Sequence, residues 1–338
     1  MKKISLKIMV LGIIALISPI TTFALGFEIS PARFEKTVMP GTTEEINLKI
    51  KNKGRDVTAT FSVNDFTFKD ESGTPLIVEE GIDDPNFSLS RWITVPRDIE
   101  LKGGEQNEAK IIINIPEDAT PGGHYGTIFV QQQAEDLGSG KVSAVTKIGA
   151  LVILKVKGEI KEKANLESFS LLEEMNEEGE LVFVTRFKNT GNVHLSPKGK
   201  IYLMDESGKV LDSIDSEGEK NELGIVVGGK RVNYLKFNKE GFLVLPGQIR
   251  KYSSKIRKEM IKGGKYQARL EIVYGGENAR IESDMVDFTI TEEEEKGKKI
   301  EVIVKSEAKT DRSFMYVIIG LGVLIVIVGS AVIFRKKK

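Results

Sequence analysis

The chain of 338 residues contains no cysteine, two histidines and one tryptophan. The lack of cysteine excludes disulfides and thiolate metal sites. His124 and His194 supply little imidazole for catalysis or metal binding at neutral pH. Because 49 basic side chains balance 49 acidic ones, the net charge gives no reason to expect nucleic acid as a partner.

Motifs of common catalytic sites are also missing. The sequence has no glycine-rich phosphate loop, no His-Glu metal motif and no Gly-x-Ser-x-Gly elbow. We therefore predict a protein that is not an enzyme, with no catalytic residue, no cofactor, no bound metal and no small-molecule substrate. An envelope hydrolase stays open as a third interpretation, because the separation of paired carboxylates is a three-dimensional quantity.

Acidic side chains concentrate in the segment "VEEGIDDPNF", between Glu79 and Asp84. The segment lacks the fixed ligand spacing of an EF-hand. A cation in this loop therefore stays open, with an ordinary solvated loop as the alternative.

The two ends carry export and anchoring signals. Residues 1–25 have a lysine-rich start, an apolar stretch and small residues up to Ala24, which predicts a cleaved signal peptide. An uncleaved anchor helix is the alternative. Residues 314–334 carry no charge and as a helix would span about 31 Å, so they predict a transmembrane helix.

The basic tail, 335–338, follows the apolar segment at once. The positive-inside rule places such a tail in the cytoplasm. We therefore predict a single-pass protein of the cell membrane, with the bulk of the chain extracellular.

The chain between the two ends predicts an all-β fold. Runs such as "EEINLKIKN" and "YQARLEIVY" alternate apolar and polar residues, which is typical of half-buried strands. Four landmarks recur in the same order, about 135 to 143 residues apart: "KNKG" and "KNTG", "DESG" twice, "LKGGE" and "LPGQ", and "GGHY" and "GGKY".

The recurrence predicts two tandem immunoglobulin-like β-sandwich domains, at 26–158 and 159–292. A charged stalk follows at 293–313, although alternation in "KKIEVIVKS" allows a last strand there. We interpret each "DESG" as a hairpin turn, since the tetrapeptide has too few oxygen ligands for calcium.

Three aromatic residues have predicted structural roles. Tyr125 and Tyr266 follow paired glycines at strand starts, which suits a tyrosine corner whose hydroxyl bonds to upstream backbone. A ligand-binding tyrosine pair is the alternative. Trp92 is predicted in the core, with a sugar-stacking surface residue as the alternative. His124 is matched by Lys265 in the second copy, so we predict that it faces solvent at a strand entry.

The first half resembles a known family. It contains "FEISPARFEKTVMPGTTEEINLKIKNKG", a strand with tryptophan in "SRWITVP", and the block "IPEDATPGGHYGTIFV". Together these resemble the N-terminal domain of WxL-interacting surface proteins and, more loosely, pilus-chaperone-like sandwiches. The resemblance implies peptidoglycan binding by the first domain and partner binding by the second, but it identifies no binding residues.

Two functions follow as expectations. The first is a non-catalytic adhesion or attachment role, with a cell-wall polymer or another surface protein as the partner. The alternative is an assembly accessory or chaperone that pairs an edge strand with a client protein. The strands Tyr125–Gln133 and Val142–Lys157 are the predicted edges.

Overall fold

The computed structural model describes residues 26–78, 85–133, 147–173, 176–212, 215–220, 226–257, 260–290 and 302–305. The predicted signal peptide, transmembrane helix, basic tail and acidic loop 79–84 lie outside the described residues. Within those ranges, no helix is long and apolar enough to cross a membrane. The secondary structure there consists of strands and two short 3-10 helices, at Pro85–Phe87 and Ser90–Trp92.

Ten strands build the first domain. They are β1 Phe27–Ser30, β2 Arg33–Val38, β3 Thr43–Asn52, β4 Val57–Phe68, β5 Pro75–Val78, β6 Ile93–Thr94, β7 Ile99–Leu101, β8 Gln106–Asn114, β9 Gly122–Gln132 and β10 Lys147–Val156. Sheet A has the order β1-β3-β8-β6, and sheet B has the order β2-β10-β9-β4-β5, with β7 also paired to β4. The two sheets enclose one apolar core between them.

The second domain repeats the two-sheet plan. Its strands are β11 Ala164–Leu171, β12 Glu180–Asn189, β13 Lys198–Asp205, β14 Asp215–Lys220, β15 Val226–Val232, β16 Leu235–Phe237, β17 Ile249–Arg257, β18 Gly264–Tyr274, β19 Ala279–Glu282, β20 Val286–Ile290 and β21 Val302–Lys305. Sheet C has the order β11-β12-β17, and sheet D has the order β16-β13-β18-β20-β21, with β19 also paired to β18. Strands β14 and β15 form a separate hairpin.

Alternation in the sequence accounts for the long strands. In β3, Ile46, Leu48 and Ile50 are buried while their neighbours are exposed, as one buried face of a sandwich requires. Strand β21 lies in the segment predicted as a stalk and pairs with β20. Sheet D therefore continues to Lys305.

The repeated "KNxG" landmark forms the same buried loop twice. The Asn52 amide donates to the Leu101 carbonyl at 3.0 Å, and its oxygen accepts from the Gly54 amide. Asn189 makes the equivalent bonds to Val244 and Gly191 in the second copy. Both asparagines are almost fully buried, so each one satisfies backbone groups that water cannot reach.

The repeated "DESG" landmark forms a tight turn in both copies, as predicted. In the first, the Gly73 amide donates to the Asp70 carbonyl at 3.1 Å, and in the second, Gly208 donates to Asp205 at 2.9 Å. Both glycines have positive φ, 73° and 78°, which glycine adopts without steric cost. The first turn joins β4 to β5.

Candidate functional site

The two domains pack together over the outer face of sheet B. Phe66, Tyr125 and Ile153 lie on that face and are each 1% exposed. Leu243 and Leu245 of the second domain complete this apolar cluster. The part of sheet B around these residues is therefore covered on both faces, one by the sandwich core and one by the second domain.

The "DESG" turn of the first domain adds polar contacts to this interface. Glu71 accepts two bonds from the Arg186 guanidinium, with 2.8 Å between Nε and Oε2. The Glu71 carbonyl also accepts from the Lys251 amide at 2.7 Å, and Gln248 donates to the Thr67 hydroxyl at 2.8 Å. The bond from Arg186 lowers the pKa of Glu71, which keeps the carboxylate ionised.

Arg250 inserts its guanidinium between aromatic rings of both domains. Its central carbon lies 4.8 Å from the ring centroid of Phe242 and 5.2 Å from that of Phe68. Nη1 donates to the Leu243 carbonyl at 2.8 Å. Burial lowers the pKa of Arg250, and the facing rings and carbonyl offset part of the desolvation cost. A Cβ on Gly73 would overlap this guanidinium.

A third contact joins His194 of the second domain to two residues of the first. Nε2 lies 3.0 Å from Glu35 Oε1, and Nδ1 lies 3.3 Å from the Tyr125 hydroxyl. The bonds from His194 and from Arg33 lower the pKa of Glu35 to about 2. Burial raises the pKa of Tyr125. Both imidazole nitrogens are engaged, and the nearby Ser196 hydroxyl donates to a backbone carbonyl, so this cluster has no activated nucleophile.

A cavity of about 410 Å³ lies beside this contact, between the domains. Its charged groups are paired with one another: Arg33 with Glu35, and Lys155 with Glu162 at 2.7 Å. Among the described residues, no group of three or more histidine and carboxylate side chains could hold a metal ion. The Lys155–Glu162 pair joins the two domains, and the Arg33–Glu35 pair lies within the first.

His124 is buried, so the prediction that it faces solvent is wrong. It is 1% exposed, and its ring nitrogens lie 3.0 Å from the Ser88 carbonyl and 2.8 Å from the Thr120 carbonyl. Trp92 packs on it, with ring centroids 4.3 Å apart. Lys265, its counterpart in the second copy, is exposed, so equivalent strand positions have diverged.

Trp92 is partly buried against the core of the first domain. The turn that carries it is held by Asp65, a fully buried carboxylate. Asp65 Oδ1 accepts from the amides of Leu89 and Ser90 at 2.8 and 2.7 Å. Backbone donors aimed at one carboxylate fix the direction of the segment.

The two predicted corner tyrosines lie at equivalent positions but have different partners. The Tyr266 hydroxyl donates to the Lys262 carbonyl, four residues upstream, at 2.9 Å. The Tyr125 hydroxyl lies next to His194 in the other domain. A Cβ on Gly123 would overlap that hydroxyl, so the glycine makes room for the ring.

Where the structure describes them, the two strands predicted as edges are mostly internal. Residues 142–146 of the second lie outside the described residues. Strand β9 pairs with β4 on one side and β10 on the other, so the prediction that Tyr125–Gln133 is an edge is wrong. Strand β10 pairs with β2 over Leu151–Val156, because the chain crosses from sheet A to sheet B after β1. The Val142–Lys157 prediction is therefore wrong for that half.

Among the residues that the structure describes, the first half of β10 has a partner on one side only. In the described chain, Lys147–Ala150 pair only with β9. The Leu151 amide points away from β9 and donates to the Ala32 carbonyl. Backbone groups alternate in direction along a strand, so the amide and carbonyl groups of Gly149 and Lys147 also point to the open side. Three of these four residues are uncharged.

Three other strands at the ends of the sheets, β17, β5 and β6, are protected. Strand β17 carries exposed Lys251 and Lys255 and receives the Glu71 carbonyl on its free side. Strand β5 begins with a proline, and β6 has two residues. Charge, proline and shortness are the devices that discourage strand addition. The open half of β10 has none of these except Lys147.

The described chain thus defines a protein with two all-β, immunoglobulin-like sandwich domains. No family model and no curated protein matches it. Similar solved structures include a chaperone–tip adhesin complex of CFA/I fimbriae biogenesis, at 12% identity over 84% of this chain and 100% of that chain, with a TM-score of 0.36.

Two further structures are similar to this chain. The class 5 fimbrial chaperone CfaA shares 12% identity over 83% of this chain and 99% of its own, with a TM-score of 0.35. The CsuC–CsuE chaperone–tip adhesion subunit complex of Acinetobacter baumannii shares 14% over 67% and 88%, with a TM-score of 0.31. All three TM-scores are below 0.5, so these matches carry no argument about the looser, pilus-chaperone-like resemblance. They do not show membership of the WxL-interacting family, and their identities and TM-scores are too low to indicate what this chain binds.

Proposed function

We propose that this chain is a non-catalytic protein-binding module that receives a β-strand from a partner protein along the open half of β10. The observation that carries the proposal is the unpaired side of Lys147–Ala150 in the described chain. Main-chain bonds to an exposed strand give affinity, and side-chain contacts give specificity.

The geometry of β10 favours an apolar partner strand. Lys147 and Gly149 direct two amide and two carbonyl groups to the open side, by alternation from Leu151. Ile148 and Ala150 belong to the face that packs on the core of the first domain. A strand added here would continue sheet B and would extend the same apolar face.

The second domain keeps the other half of this sheet rigid. Leu151 and Ile153 of β10 pack under Leu243 and Leu245. The open half is therefore the end of a strand whose remainder is held on both edges and both faces. A preorganised edge lowers the ordering cost of binding.

We further propose that the module acts outside the cell, anchored by residues 314–334. The uncharged run and the basic residues after it support this placement. A cell-wall polymer is the competing partner, supported by the family resemblance of the first domain.

Photo-crosslinking from the native envelope tests the proposal. The photoreactive residue p-benzoylphenylalanine replaces exposed Lys147 in the full chain, and the matched control carries it at exposed Lys110 on sheet A. We expect position 147 to form adducts with one protein and position 110 to form none with it. Adducts of position 147 with peptidoglycan fragments alone, or equal adducts from both positions, would overturn the proposal.

A further inference from the structure

The outer face of sheet D carries a basic pocket of about 550 Å³. Strands β13, β16, β18 and β19 and the loop after β16 form its walls. The pocket is lined by five cationic side chains and one carboxylate: Lys198, Lys200, Lys236, Lys239, Arg280 and Glu271.

The cations are set close together by the register of the sheet. Lys200 on β13 lies directly opposite Lys236 on β16. Directly opposite residues point to the same face, where like charges repel and destabilise the pair. Lys198 lies two residues from Lys200 on the same face. Val273 pairs with Lys198 on one side and with Arg280 on the other, so Lys198 and Arg280 lie in one row across the sheet. A bound anion would relieve this repulsion.

The nearest carboxylates already have a partner. Glu271 is opposite Lys200, but its Oε1 lies 3.2 Å from Arg269 Nη2. Glu282, next in the row, lies 3.8 Å from Arg269 Nη1. In the part of the chain that the structure describes, none of the five pocket cations forms an ion pair.

An aromatic ring forms one wall of the pocket. Lys200 Nζ lies 4.3 Å from the ring centroid of Tyr234, and Tyr202 contacts the same ring edge-on at 6.1 Å. A ring beside cations offers an apolar surface next to anion-binding groups. This combination suits a sugar ring that carries an acidic group.

We propose that this basic pocket binds a sugar polymer that carries carboxylate or phosphate groups. Lysines act as separate point charges, which suits anionic groups repeated along a polymer. The concave shape favours a chain over a flat lipid surface. The pocket lies in the second domain, so its failure would leave the strand-binding proposal for β10 untouched.

Binding to polygalacturonate tests the carboxylate form, with its fully methyl-esterified polymer as the neutral control. The full chain is kept in a neutral detergent. Phosphorylated mannan and neutral mannan form the phosphate pair. We expect an acidic polymer to bind and its neutral counterpart not to bind. Binding should weaken at least about tenfold between 0.1 and 1 M salt, because the screening length falls from about 10 Å to about 3 Å.

The variant Lys200→Gln/Lys236→Gln should weaken acidic-polymer binding about tenfold or more. The matched control is Lys51→Gln/Lys102→Gln, which removes the same charge from exposed positions of the first domain and should bind like the wild type. Tyr234→Phe should retain binding, and Tyr234→Ala should lose much of it. If the double variant does not fold, two measurements on the wild type still test the proposal: the comparison of acidic with neutral polymers, and the dependence of binding on salt.

Four results would overturn the proposal: equal binding of neutral and acidic polymers, equal loss in the control variant, tighter binding of poly-glutamate, or tighter binding of phosphatidylglycerol vesicles. The last two would assign the pocket to an acidic peptide or to an anionic membrane.

Discussion

At the scale of single residues, buried polar side chains define the repeated loops. Asn52 satisfies the Leu101 and Arg55 carbonyls and the Gly54 amide at once. A substitution that removes this amide leaves buried backbone groups unpaired. The residue is therefore structural, at the last position of strand β3.

We expect Asn52→Ala to lower the free energy of unfolding by about 2–4 kcal/mol, since it removes three hydrogen bonds in a buried site. The control is Asn47→Ala, at an exposed position of the same strand, which should change it by less than about 0.5 kcal/mol. Urea unfolding followed by the fluorescence of Trp92, the only tryptophan, reports on the first domain. Equal effects of the two substitutions would contradict the assigned role of Asn52.

The two "DESG" glycines provide a matched pair. Gly73 and Gly208 have nearly the same φ, so alanine at either should cost about 1–2 kcal/mol of backbone strain. A Cβ at Gly208 meets nothing within 4 Å, whereas one at Gly73 overlaps Arg250. We expect Gly73→Ala to cost at least about 1 kcal/mol more. Urea unfolding of both variants measures the two losses of unfolding free energy. Equal losses would contradict the assignment of Gly73 to the interface.

At the scale of elements, strand β10 has two different edges. Its second half is closed by β2, and its first half carries outward amides that can pair with another chain. The Lys147 amide points away from β9, so a proline at position 147 removes no hydrogen bond between β10 and β9. A substitution can therefore test the role of this amide in partner binding.

We expect Lys147→Pro to abolish partner binding and Lys147→Ala to retain it, since both lose the side chain but only proline lacks the outward amide. Circular dichroism checks that both variants fold. Retention of the partner by the proline variant would mean that binding does not use the outward amide of residue 147. Loss of the partner in the alanine variant would mean that binding uses the lysine side chain.

Strands and turns could be predicted from the sequence, because their signals are local. Alternation predicted β3 and β18, and the glycine of "DESG" predicted both turns. The partners of the first copy could not be predicted in this way. Glu71 contacts Arg186, which lies 115 residues further along the chain. His124 is buried where its ring nitrogens form hydrogen bonds with the backbone carbonyls of Ser88 and Thr120.

The open half of β10 was within reach of sequence reasoning but was placed too broadly. A long apolar run predicted a strand from Val142 to Lys157. Nothing in that run shows that the chain crosses from sheet A after β1, so that β2 covers Leu151–Val156. The basic pocket was missed for a similar reason, because its lysines come from strands that are far apart in the chain.

At the scale of the whole molecule, the interface couples the two domains. Apolar packing, the Glu71–Arg186 pair and the Glu35–His194 bond all cross it. The Glu35–His194 bond is sensitive to pH, because the pKa of Glu35 falls from its ordinary value of 4.5 to about 2.

A lowered carboxyl pKa stabilises the fold above pH 4.5, and this contribution is lost as the pH falls towards 2. The Glu35 side chain is 45% exposed, so solvent screening reduces the effect to about 1 kcal/mol. We expect Glu35→Gln to flatten the loss of unfolding free energy between pH 5 and 2. Glu108→Gln, on the outer face of sheet A, is the control, and equal slopes for wild type and Glu35→Gln would refute the coupling.

We propose that a partner strand pairs with the open half of β10. Amide hydrogen exchange of the full chain, with and without the protein captured at position 147, tests it most directly. We expect slower exchange at the Lys147 and Gly149 amides in the complex and no change at the Leu151 amide, which already donates to the Ala32 carbonyl. Unchanged exchange at Lys147 and Gly149 in the complex would contradict it.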